Sequence, residues 1–173
     1  ISINSWIWIL FGTGLGSILG IITAGKVPMT AMPETVALFN GCGGMSSLLV
    51  ALGVALYPLT TNSTNATNNF IQNLSITISI FVGAITFSGS MIAMAKLQGW
   101  LSTPNWTQSK IRHAINISFT VICLIAVVQI FLGNEDIFFL LVIGSSLLGI
   151  GVTLPIGGAD MPVVISLLNS YSG

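Results

Sequence analysis

Ala114-Ile115-Asn116-Ile117-Ser118-Phe119-Thr120-Val121-Ile122-Cys123-Leu124-Ile125-Ala126-Val127-Val128-Gln129-Ile130-Phe131-Leu132 contains no charged residue. Lys110, Arg112 and His113 precede it, and Gly133-Asn134-Glu135-Asp136 follow it. A hydrocarbon core of about 30 Å takes roughly 20 helical residues to cross. Within that core the backbone must satisfy its own hydrogen bonds, which a helix does inside one segment. The run lacks the period-two alternation of a membrane strand. Its length and flanks therefore predict a membrane helix over 110–132, basic at one end and acidic at the other.

The same pattern recurs on both sides of this stretch. Six helical segments are expected: Ile3–Ala24, Pro33–Tyr57, Phe70–Leu97, Lys110–Leu132, Ile137–Leu154, and a last one starting at Asp160. The first four are long enough to cross a bilayer, the fifth is near the short limit, and the sixth spans only about three turns. The fold class is thus an all-α polytopic transmembrane helix bundle, one unit over 1–173. Composition agrees. Of 173 residues, 53% are hydrophobic and 5% charged, with mean hydropathy +0.97. Soluble domains are roughly a quarter charged. A soluble enzyme and a disordered tail are excluded, and net charge 0 leaves no basic patch for nucleic acid. The first residue is Ile1, and Tyr171-Ser172-Gly173 falls inside an apolar-patterned segment, so both ends are expected to be cut from a longer polypeptide. The first apolar run lacks the basic flank and cleavage site of a signal peptide.

Charge placement orients the segments. The connections after the first, third and fifth segments, with their flanks, hold Lys26, Lys96, Lys110 and Arg112, which are all the basic residues. The other two connections hold none, and one of them carries Glu135 and Asp136. The positive-inside rule places the basic connections on the cytoplasmic or matrix side. Trp6, Trp8 and Tyr57 then fall at the outer face and Trp100 and Trp106 at the inner one, as aromatic belts would.

Few residues offer chemistry. Cys42 and Cys123 sit in apolar runs without CxxC spacing or a nearby His, and read as buried structural thiols rather than a metal or redox motif. Gly12, Gly14, Gly16 and Gly20 mimic a dinucleotide fingerprint. That motif needs a preceding strand and a ribose-binding acid, so the run reads as a helix-packing face. Gly41, Gly43, Gly44, Gly144, Gly149 and Gly151 read the same way. Asn40, Ser46, Ser88, Ser90, Asn116, Gln129 and Asn169 are uncharged polar groups within apolar runs. They are either interhelical hydrogen-bond partners or the lining of a hydrated track. Asp160, ahead of Met161-Pro162, fits a helix N-cap, or an acid at the inner face that meets a partner domain. His113 beside Arg112 reads as a solvated or capping group rather than a proton relay. The four Asn-x-Ser/Thr matches at Asn62, Asn65, Asn73 and Asn105 matter only in a secretory compartment.

The stretch Gly157-Gly158-Ala159-Asp160-Met161-Pro162-Val163-Val164-Ile165-Ser166-Leu167-Leu168-Asn169-Ser170-Tyr171-Ser172-Gly173 closely resembles a signature of the proton-translocating NAD(P) transhydrogenases, in the membrane domain of their beta subunit. Lys26-Val27-Pro28-Met29-Thr30-Ala31-Met32-Pro33-Glu34 resembles an inner loop of that domain, and Gly83-Ala84-Ile85-Thr86-Phe87-Ser88-Gly89-Ser90 the middle of a later helix. Order, spacing and topology agree over nearly the whole chain.

The resemblance implies a function beyond what composition gives. The family couples hydride transfer from NADH to NADP+ to inward proton movement. The nucleotides bind in soluble domains, so no cofactor is expected on this fragment and no catalytic residue within it. Implied partners are the NADP(H)-binding domain of the same beta chain, an NAD(H)-binding alpha subunit or domain, the lipid bilayer, and a second copy of the complex. The implied location is a bacterial plasma membrane or a mitochondrial or other organellar inner membrane. Asp160 matches the family's acid at the inner face, implicated in coupling to the NADP(H) domain. Asn169 and Ser90 match polar residues implicated in the proton path. Asn40 matches a position where many members carry histidine, regarded as the proton carrier. An amide does not titrate near neutrality as imidazole does. Bound water, a titratable group on a helix outside this chain, or weakened coupling would each account for the difference. The second is favoured, because ionisable groups within the membrane mark proton relays. The rival functions are half of a secondary transporter, which would need broken helices or an inverted repeat, and a passive membrane anchor.

Overall fold

The computed structural model describes residues 3–56, 66–104, 107, 110–134 and 137–172. Its helices are α1 (Ile3–Lys26), α2 (Met32–Leu56), α3 (Ala66–Leu97), α4 (Ile111–Phe131), α5 (Phe138–Thr153) and α6 (Met161–Ser172). These are the six expected segments. The largest boundary change is at α3, which begins a turn earlier than its apolar run. With 32 residues at about 1.5 Å rise it is some 48 Å long, well beyond a hydrocarbon core. No strand occurs among the described residues.

Helices α1 to α4 are each long and apolar enough to cross a membrane. Helices α5 and α6 reach that length and apolarity only as a pair, bent by 110° between Thr153 and Gly158, as in a broken span or a re-entrant hairpin. The chain is a helical membrane bundle. Its exterior carries large apolar side chains such as Leu10, Ile21, Val50, Ile117 and Val163, which water would not tolerate in this number but lipid does. Trp6, Trp8 and Trp100 are exposed. Tyr57 and Trp106 lie outside the described residues, as do Glu135 and Asp136 and the candidate glycosylation positions Asn62, Asn65 and Asn105.

Helix α3 is the hub and packs against α2, α5, α6 and, more lightly, α4. Small residues let its backbone come close to its neighbours. A Cβ on Gly44 would lie 2.8 Å from Gly83 O, and one on Gly83 would lie 2.7 Å from Gly44 O. Helices α2 and α3 therefore cross backbone to backbone, the approach that small residues permit in membranes. Against α5, a Cβ on Gly149 would meet Ile85 O at 2.8 Å.

The glycines of α1 behave differently from expectation. Around Gly12, Gly14, Gly16 and Gly20 an added Cβ would meet nothing within 4 Å, and no described side chain of α1 is buried. A glycine face needs a second helix laid on it, and among the described residues α2 to α6 do not supply one. Gly43 is likewise open. Cys42 is exposed rather than buried, whereas Cys123 is buried as expected.

Two apolar clusters fill the bundle. One joins Leu48, Ala51, Ile76, Ile80, Ala84, Cys123, Ala126, Ile130, Phe138 and Leu141. The other joins Ala37, Ala93, Met161 and Ile165 at the end bearing the basic residues. Along both α2 and α3, the stretch between these clusters carries polar groups.

Candidate functional site

Asn40 lies on the buried face of α2, one turn from Ala37. Its Nδ2 donates a hydrogen bond to Ser90 Oγ of α3 at 2.8 Å. Ser90 is 0% exposed and Asn40 8%. An amide held in an apolar interior costs several kcal/mol if unpaired, so each group stabilises the burial of the other. Gly41 makes room for the pair, since a Cβ there would sit 3.3 Å from Ser90 Cβ.

On its other side Asn40 faces a cavity of about 730 Å³ between α2 and α6. Met32, Pro33, Val36, Phe39 and Gly43 line it from α2, and Pro162, Ile165, Ser166 and Asn169 from α6. Val36 and Phe39 are half exposed, so the cavity is open at the bundle surface. Asn40, Ser166 and Asn169 supply the polar groups of a mostly apolar wall. Three of the residues singled out in the sequence thus meet in one place: Asn40 and Asn169 on a shared cavity, and Ser90 directly behind Asn40. Amides and hydroxyls both donate and accept hydrogen bonds and can order water, but none titrates near neutrality.

The remaining polar candidates make their hydrogen bonds away from this pair. Ser46 Oγ donates to Gly43 O at 2.8 Å, and Ser88 Oγ to Ala84 O at 2.8 Å, both within their own helices. Asn116 Nδ2 donates to Gly151 O at 3.1 Å and links α4 to α5. Gln129 Oε1 accepts from Asn134 Nδ2 at 2.7 Å beyond the end of α4. His113 is exposed and accepts from Arg112 Nε at 3.3 Å.

Asp160 closes a 3-10 turn, Gly158–Asp160, immediately before α6. Its backbone N–H donates to Gly157 O at 3.1 Å, and the residue is exposed. The carboxylate is presented at the surface on the bend between α5 and α6.

Lys96 carries more of the structure than the sequence suggested, where it counted only as an orienting charge. It is 6% exposed. Its Nζ donates to Leu154 O, to Ile156 O at 2.6 Å and to Thr103 Oγ1 at 2.9 Å. A lysine in the last turn of a helix ordinarily reads as a solvated cation, and its burial here depends on residues some sixty positions away.

The glycine run of α1 does not form a dinucleotide cradle. Gly12, Gly14, Gly16 and Gly20 lie inside α1. A dinucleotide cradle needs a glycine turn that opens a helix after a strand, so that free N–H groups meet the pyrophosphate.

Comparison with known proteins agrees with this architecture. A family model described as NAD(P) transhydrogenase beta subunit matches residues 1–173. The NAD(P) transhydrogenase subunit beta of Rhodospirillum rubrum is 39% identical over 173 residues, covering 99% of this chain and 37% of its own length. The protein of the same name from a designated strain of that species matches equally. The chain therefore spans 37% of the length of the curated relatives it matches. By its match over the whole sequence, it belongs to the NAD(P) transhydrogenase beta subunit family.

Proposed function

We propose that this chain is the proton-conducting membrane part of an NAD(P) transhydrogenase. Proton entry down the protonmotive force is coupled there to hydride transfer from NADH to NADP+, giving NADPH, in soluble domains outside residues 1–173. The observation that carries the reading is the buried Asn40–Ser90 hydrogen bond of 2.8 Å beside a cavity shared with Asn169. A passive anchor has no use for an amide and a hydroxyl buried together in an apolar interior, where they cost free energy unless paired.

In this mechanism Asn40, Ser90 and Asn169 hold water in file across the middle of the bundle. Since none of them titrates, the group that takes up the proton stands on a membrane segment outside this chain, facing the open cavity. Asp160, on the exposed bend, passes the state of the path to the NADP(H)-binding domain of the same beta chain. The NAD(H)-binding alpha subunit or domain completes the reaction, the complete complex is a dimer, and it resides in a bacterial plasma membrane or an organellar inner membrane. One charge crossing a potential of about 100 mV gains about 2.3 kcal/mol. Passed to the nucleotides, that displaces their ratio tens-fold, since about 1.4 kcal/mol is tenfold.

The test is NADPH formation by the assembled complex in energised vesicles. Asn40→Leu should abolish most of the stimulation by the gradient, while hydride transfer with the gradient collapsed persists. Stimulation equal to the parent's would overturn the reading.

A further inference from the structure

The ammonium of Lys96 has three N–H donors, and three acceptors meet it: the carbonyls of Leu154 and Ile156 and the hydroxyl of Thr103. All three are neutral. The two carbonyls belong to the end of α5 and the bend beyond it. The last carbonyls of a helix have no partner within the helix, and they carry its partial negative charge. A buried cation costs free energy unless it is well bonded, and here every donor is used. The chain is built to bring Thr103 back. Gly99 has φ +73, with Gly99 N donating to Lys96 O at 3.0 Å and Trp100 N to Ala95 O at 2.9 Å. This pair of bonds ends a helix and reverses its direction around a left-handed glycine. The Asp160 turn lies against the same point, because a Cβ on Gly158 would sit 3.7 Å from Lys96 O.

We infer that Lys96 is a positioning residue that tethers the turn carrying Asp160 to α3, less than two helical turns along from Ser90. It joins the exposed acid to the helix that holds one half of the buried polar pair. Movement of α3 against α2 is transmitted to the bend through this ammonium rather than lost in a loose loop. The functional weight of the inference rests on the coupling role proposed for Asp160, whereas the tether is a separate structural claim.

The experiment uses the complete complex in inside-out vesicles. A cysteine is placed on the tethered bend by Ile156→Cys, where the native side chain is partly buried against the Ala93 and Met161 cluster, and its labelling by a water-soluble maleimide is read as the difference from the same complex without that substitution. Adding Lys96→Gln should raise the labelling rate about fivefold or more, as a turn released from its anchor opens more often. A control cysteine at Gly25→Cys, on the same membrane face at the end of α1, where an added Cβ would meet nothing within 4 Å, should keep its rate. The gradient stimulation of NADPH formation should fall about fivefold or more, and Lys96→Arg, which keeps a charged multiple donor, should restore most of both. An unchanged labelling rate in Lys96→Gln overturns the tether. If that variant does not assemble, Thr103→Val decides: it removes one acceptor and keeps the cation, so a rise of about twofold supports the tether and no rise overturns it. Faster labelling with undiminished stimulation supports the tether and counts instead against the role of Asp160.

Discussion

Asn40 and Ser90 are fifty positions apart and share a 2.8 Å hydrogen bond that ties α2 to α3 between two apolar clusters. Such bonds in membranes average about 0.6 kcal/mol and reach about 1.7 kcal/mol. Burial of both partners places this one in the upper part of that range. A double-mutant cycle with Asn40→Ala and Ser90→Ala, followed by denaturant unfolding in detergent, should return a coupling energy of about 1 kcal/mol. Additive single effects would mean that the two groups do not act as a pair.

Asp160 is exposed on a surface bend, so removing its charge should leave folding nearly untouched, within about 0.5 kcal/mol. Asp160→Asn in the complete complex should instead lower gradient stimulation of NADPH formation by about fivefold or more. Normal stimulation together with a marked loss of assembled protein would point to a capping role.

Asn40 offers an amide where imidazole would titrate near pH 6.5. The cavity beside it gives space for a larger ring. Asn40→His should be accepted in the fold and should add a limb near that pH to the profile of coupled turnover. A profile superimposable on the parent's would count against conduction at this position.

The backbone crossings admit a packing test. Gly44→Ala would drive a Cβ to 2.8 Å from both Gly83 O and Phe87 N, contacts that no side-chain rotation relieves. The substitution should destabilise the bundle by about 1–3 kcal/mol, the usual range for overpacking. Gly53→Ala, where an added Cβ meets nothing within 4 Å, should stay within about 1 kcal/mol of the parent. Thermal unfolding in one detergent compares them, and equal losses would contradict the crossing at Gly44 and Gly83.

The helices were legible because each apolar run had to satisfy its backbone locally, which depends on residues within one segment. The boundary of α3 was less so, since Thr67, Asn68 and Asn69 are polar and the helix continues through them to Ala66, past its apolar run. Asn40, Ser90 and Asn169 stood out as amides and hydroxyls in apolar surroundings, but nothing local indicated that Ser88 bonds to its own helix while Ser90 bonds across. The role of Lys96 was invisible for the same reason. A lysine three residues before a glycine that ends a helix looks like any solvated cation, and its partners Leu154 and Ile156 come from a distant bend. The glycine pattern of α1 announced a close neighbour without saying whether this chain would provide it.

The rate of proton exit from the lumen during NADPH formation, followed with a trapped pH-sensitive dye in inside-out vesicles carrying the complete complex, examines conduction itself. Asn40→Leu and Ser90→Ala should each reduce that rate about tenfold or more, with the complex still assembled and hydride transfer still measurable under uncoupled conditions. Proton exit at the parent's rate in both variants would contradict a path through the Asn40–Ser90 seam.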